Sequence, residues 1–173
     1  EELDCSYANH FERGGLKKID VSHNGLLKVL RCDNNSLDTL DVSHNNELRE
    51  LHCRNNNLHT LNVSGKKNLE ELLCDNNSIT NLHTTGCTSL SLMNCSMNHL
   101  NTIDLSDCHS LRWLNCAENQ LVSLDASPAT SLEQLFCNDN FIAQLEISHN
   151  TSLRQLRCGR NKLDSLDVRN NIA

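Results

Sequence analysis

Ten cysteines and nine histidines in 173 residues are the first chemistry to weigh. Such residues form disulfides, hold metals, or supply a nucleophile and its base. Their spacing speaks against all three for most of them. Cys32, Cys53, Cys74, Cys95, Cys116, Cys137 and Cys158 fall 21 residues apart without a slip. Side chains in a straight row cannot converge tetrahedrally on zinc. Their Cβ vectors run parallel, so bridging neighbours would strain every element they join. The row reads as reduced, buried, inert thiols. Cys87 and Cys108 stand outside it, again 21 apart, and form the pair for which a disulfide is in prospect. His23, His44 and His149 recur in Ser-His-Asn triplets and read as solvated turn residues. No metal site, cofactor or catalytic residue is expected, because no serine, histidine and acid converge outside the period.

The elements that position these residues follow from the same period. Three residues after each regular cysteine comes Asn35, Asn56, Asn77, Asn98, Asn119, Asn140 or Asn161, and an aliphatic residue lies two before and five after. The unit reads L-x-x-L-x-C-x-x-N-x-L-x-x-L-D-V-S-x-N-x-x, with the cysteine at its sixth position. The L-x-C segment alternates, so Leu30 and Cys32 point one way while Val29, Arg31 and Asp33 point the other. Each unit therefore contributes one short parallel strand, stacked on its neighbour at roughly 4.8 Å. A stacked asparagine has donors and an acceptor for the backbone groups freed where each strand turns. Too few residues return on the convex side for full helices, so extended, irregular or single-turn helical structure is expected there.

This pattern resembles the leucine-rich repeat, with cysteine in place of one leucine. The 21-residue unit with L-D-V-S is similar to the cysteine-ladder repeats of bacterial surface proteins, internalin J-like ones in particular. The resemblance implies an α/β-type solenoid of about eight repeats, a right-handed curved coil with a concave parallel β-sheet. It also implies a secreted or cell-surface protein used in adhesion or host contact.

The ends are less regular. Residues 1–26 read as an irregular first repeat with an insertion, and 27–173 as seven regular units of one domain. Leu3-Asp4-Cys5 copies the strand motif, making Cys5 the first ladder member with extra residues bulging around Gly14 and Gly15. Phe11, at the exact period, is the alternative. Neither end carries the polar cap that a solenoid needs. The chain is thus expected to be a piece of a longer protein, able to stack end to end on another copy.

Composition bounds the function. Thirty Leu and 25 Asn stand against three Phe, one Trp and one Tyr, which does not suit a large mixed enzyme core. A net charge of -7 does not suit nucleic-acid binding, and no apolar run is long enough to insert in a membrane. Function is expected in the variable residues of the strand face. There Leu73, Leu92, Met97, Trp113 and Phe136 place large apolar groups toward water. Arg31, Glu50, His52, Arg54, Glu71, Arg157 and Arg160 flank them. Apolar anchors inside a charged rim are the anatomy of a binding hot spot. The reading is a non-enzymatic module recognising a protein or glycoconjugate. The alternative keeps the fold as the targeting domain of an intracellular effector whose catalytic domain is elsewhere.

Overall fold

A computed structural model describes residues 1–7 and 15–171. Its strands are β1 (Glu2–Asp4), β2 (Val29–Arg31), β3 (Glu50–His52), β4 (Thr60–Asn62), β5 (Glu71–Leu73) and β6 (Asn81–His83). They continue as β7 (Leu92–Asn94), β8 (Trp113–Asn115), β9 (Ser123–Asp125), β10 (Gln134–Phe136), β11 (Gln144–Glu146) and β12 (Gln155–Arg157). One eight-stranded parallel sheet runs in the order β1-β2-β3-β5-β7-β8-β10-β12. Its register is uniform: Leu30 pairs with Leu51, Leu51 with Leu72, Leu72 with Met93, and Met93 with Leu114. Each 21-residue step thus returns the chain one strand spacing further along.

The core is a stack of like layers. Leu27, Leu30, Cys32, Leu37, Leu40 and Val42 of one unit are all buried, and the next unit repeats them with Leu48, Leu51, Cys53, Leu58, Leu61 and Val63. Each fully buried Leu contributes about 2 kcal/mol of apolar transfer. Enclosure is complete in the middle only. Ladder cysteines Cys32 through Cys137 are buried, whereas Cys5 and Cys158 at the two ends are half-buried. About six turns are complete, fewer than the eight repeats expected from the sequence.

The return side departs from expectation only in lacking helical turns. No helix forms among the described residues, and β4 pairs with β6 and β9 with β11 in two small parallel sheets. The cause is a period of two: Leu40 and Val42 are buried while Thr39, Asp41 and Ser43 are exposed. An extended chain buries that pattern, and a helix does not.

Leu3 pairs with Leu30, and the Cys5 amide donates to the Arg31 carbonyl, so Cys5 lies in register with Cys32. The Leu16 amide donates to Asn35 Oδ1 at 2.9 Å, as the Leu37 amide does to Asn56. The extra residues of the first coil therefore fall between Tyr7 and Leu16. Phe11 and Gly14 lie outside the described residues, as do Ile172 and Ala173. Gly15 sits so close to Asn35 that a Cβ there would come within 2.6 Å of the Asn35 Cα. Only glycine fits.

The turn after the sheet is held by the asparagine column. Asn98 Nδ2 donates to the carbonyls of Cys74, Cys95 and Ser96, and its Oδ1 accepts the Ile79 amide. Asn35, Asn56, Asn77, Asn119, Asn140 and Asn161 each donate to the carbonyls of their own and the preceding cysteine. Leaving such a buried group unpaired costs about 1–3 kcal/mol, so these seven residues act as a spine.

Candidate binding surface

Positions three and five of each unit project from the outer face of the sheet, and the fourth points into the core. The face divides in two. In its N-terminal half the charges consume one another. Arg31 pairs with Glu2 and, at 2.7 Å, with Glu50. His52 Nε2 lies 3.2 Å from Glu71 Oε1, and Arg54 Nε lies 3.1 Å from Asp75 Oδ1. Neither of those last contacts is well aligned as a hydrogen bond. Asp33 Oδ1 accepts the Arg54 amide at 2.7 Å. Burial pushes the carboxyls of Asp33 and Asp75 above the ordinary range, and the neighbouring Arg54 opposes that shift.

The C-terminal half is different. Trp113 and Phe136 meet across adjacent strands with ring centroids 5.6 Å apart and planes tilted by 52°. The Trp113 strand partners are Leu92 and Gln134, and Phe136 lies between Asn115 and Arg157. The Arg157 guanidinium lies over the Phe136 ring, 5.2 Å from its centroid. Both rings are half-buried, as is Leu92, while Met97 is 48% exposed. Amides of Asn94, Asn115, Gln134 and Gln155 surround them, in place of the carboxylates of the other half.

Leu73 does not join this surface as the sequence led us to expect. It is only 5% exposed, set between His52 and Asn94 on the neighbouring strands. It forms a buried divide between the two halves. Arg160 is exposed but tied to Asp139 at 3.0 Å.

A backbone feature escaped the sequence reading. The eighth position of every unit is left-handed: Tyr7, Asn34, Asn55, Asn76, Met97, Glu118, Asp139 and Arg160 all have φ between 52° and 58°. Asparagine tolerates this region, and other side chains pay about 1–2 kcal/mol. In the N-terminal half Asn55 donates to Asn34 at 2.8 Å and Asn76 donates to Asn55, a polar ladder along the rim. From Met97 onward the ladder stops. The run of three asparagines was the available signal. The sequence reading also passed over Phe141, 48% exposed on the flank with Lys162 Nζ 5.0 Å from its ring.

The cysteines offer no reactive group. All ten are unbonded, including Cys87 and Cys108, so the prospective disulfide is not formed. Both sit buried in the turn before the sheet, where Cys87 Sγ donates to the Val63 carbonyl at 3.1 Å. Burial pushes the Cys95 and Cys137 thiols to about 12 and Cys87 to about 11, far from a nucleophilic thiolate. His23, His44 and His149 are exposed, each beside the preceding serine hydroxyl. Among the described residues no three His, Cys, Asp or Glu gather as metal ligands. No helix there is long and apolar enough to cross a membrane. Two grooves open on the return side, one around Asp41 and Lys66 and one around Asp125 and Glu146.

This stack of L-x-C strands, buried sulfur and asparagine-locked turns is a leucine-rich-repeat solenoid with a cysteine ladder, and the chain belongs with that class. Among solved structures it is similar to the functional domain of InlJ from Listeria monocytogenes, which includes a cysteine ladder. The identity is 26% over 98% of this chain and 46% of that one, with a TM-score of 0.59. YopM from Yersinia enterocolitica is 30% identical over 82% of this chain and 30% of its own, with a TM-score of 0.73. The leucine-rich-repeat protein LIC12759 of Leptospira interrogans shares the fold, at TM-score 0.82 and 22% identity over 94% of this chain and 44% of that one. The chain thus spans less than half the length of each. No protein-family model matches it, and no curated protein does either.

Proposed function

We propose that this chain is a non-enzymatic recognition module that binds a protein partner on the C-terminal half of its sheet face. Leu92, Met97, Trp113 and Phe136 form the apolar centre. The observation that carries this reading is the Trp113–Phe136 pair, held half-exposed on a rigid sheet. The ring area left in water adds nothing to the stability of the solenoid, whereas aromatic anchors dominate binding energies. Neighbours of the internalin and leucine-rich-repeat type support a protein-interaction role. Internalin-type neighbours also support placement in a secreted or surface protein, for which we propose a role in adhesion or host contact.

The test is quantitative capture from host-cell lysate and surface fractions by the native chain and by the Trp113→Ala/Phe136→Ala variant. A partner retained by the first and lost by the second, with both folded, supports the reading. Equal capture by both contradicts it. A second reading, the targeting domain of an intracellular effector, is favoured by ten unbonded thiols that sit at ease in a reducing compartment. Fractionation of the source cells and their medium with an antibody to the solenoid separates the two.

A further inference from the structure

Most of the described arginines are spoken for. Among the described residues Arg31, Arg49, Arg54, Arg112, Arg160 and Arg169 each lie within ion-pair distance of a carboxylate. Arg157 does not. It is the last residue of β12, exposed on the binding half of the sheet face, and its recorded contact is the Phe136 ring. A guanidinium laid on an aromatic face is held in place, and its N–H donors stay directed outward in its own plane. That is the arrangement that receives a carboxylate through two parallel hydrogen bonds.

The local charge agrees. The whole chain carries -7, yet the stretch from Asn150 to Leu163 holds Arg154, Arg157, Arg160 and Lys162 and no acidic residue. Arg160 is paired with Asp139 and Lys162 lies over Phe141 on the flank, so Arg157 is the unpaired cation beside the aromatic shelf, while the other end of the face is self-neutralised.

Resting on the binding face proposed above, we infer that its occupant is an acidic peptide segment. One carboxylate sits on Arg157, and a large apolar side chain from the same segment lies over Trp113 and Phe136. The amides of Asn115 and Gln155, on the strand positions next to these residues, are placed to meet the segment's backbone. Of the acids on this half of the rim, Asp139 is paired with Arg160, and Glu118 lies two units before Arg160 in the same column.

Trp113 is the only tryptophan, so its emission reads the site directly. The experiment titrates the folded chain with tryptophan-free synthetic nonapeptides. Each carries a central Phe-Leu pair flanked by Asp and Glu, by Asn and Gln, or by Lys; neutral and sialylated oligosaccharides are titrated in parallel. The acidic peptides are expected to shift Trp113 emission saturably. They should weaken at least about tenfold on Arg157→Gln, and only severalfold on Arg157→Lys, which keeps the charge and loses the fork. Binding should also weaken severalfold between about 0.05 and 0.5 M salt.

Equal binding of neutral or lysine peptides, or no effect of Arg157→Gln, overturns the acidic assignment while leaving the aromatic face standing. An oligosaccharide that binds better than any peptide overturns it too. No emission change up to about 1 mM acidic peptide rejects the inference outright. The reading under Proposed function fails separately, when captured partners ignore the loss of both rings.

Discussion

The two halves of the sheet share one backbone and one register, and they spend their side chains differently. From β1 to β5 every charge on the face has a partner in the chain, and the rim residues Asn34, Asn55 and Asn76 suit their left-handed backbone. From β7 to β12 the face turns aromatic and amide-rich. Met97, Glu118 and Arg160 there occupy a conformation that such side chains resist. The same scaffold tolerates both because the cysteine and asparagine columns run unchanged beneath them. Residues that depart from local stability on an otherwise optimised frame mark where selection served something other than folding.

The sharpest way to break that contrast is at its boundary. Leu73→Ala should cost about 2–4 kcal/mol in denaturant unfolding, because a buried leucine leaves a cavity. A loss under about 1 kcal/mol would move Leu73 onto the exposed face and erase the divide. Next comes Trp113→Ala, expected to weaken partner binding about tenfold or more, roughly 1.4 kcal/mol, with the melting temperature within a few degrees. Glu50→Gln should leave binding unchanged, since Glu50 lies on the other half of the face, in a half-buried pair with Arg31. Met97→Asn should raise stability by about 1 kcal/mol through relief of the left-handed residue, while weakening binding.

The smallest effect is in the pH response, and it has opposite signs at Asp33 and at Asp139. Burial raises Asp33, so its ionisation opposes folding; that cost disappears as pH falls through its raised value. Hydrogen bonds from Asn138 and Arg160 lower Asp139, so its contribution is present above the ordinary carboxylate range and is lost as pH falls. On acidification the native chain should therefore gain in melting temperature relative to Asp33→Asn and lose relative to Asp139→Asn. Parallel shifts for the two variants would show that the two carboxyls do not differ electrostatically.

Much of this was legible in the chain itself, because repetition turns a weak local signal into a column. Leu30 and Cys32 alone could belong to a helix; seven copies at a fixed period could not. The strands, the buried thiols and the outward path of Trp113 and Phe136 follow from alternation. What the period hides is what differs between copies. Leu73 occupies the same position as Phe136, yet one is buried and the other half-exposed, a matter of neighbours on adjacent strands. On the return side the residue number ruled out full helices but left extended and single-turn helical forms open, and the alternation at Leu40 and Val42 decides for the extended one. The stacking of Arg157 on Phe136 needed side-chain geometry that no column supplies.

The most direct test is hydroxyl-radical footprinting of the chain with and without a captured partner, followed at Trp113, Phe136 and Met97. These side chains are oxidisable and partly exposed, and the buried ladder thiols serve as an internal reference. The account predicts strong protection of all three on binding, with no change at Tyr7 or at His52 across the divide. Protection at His52 or on the return side, with Trp113 as open to oxidation as before, would contradict it.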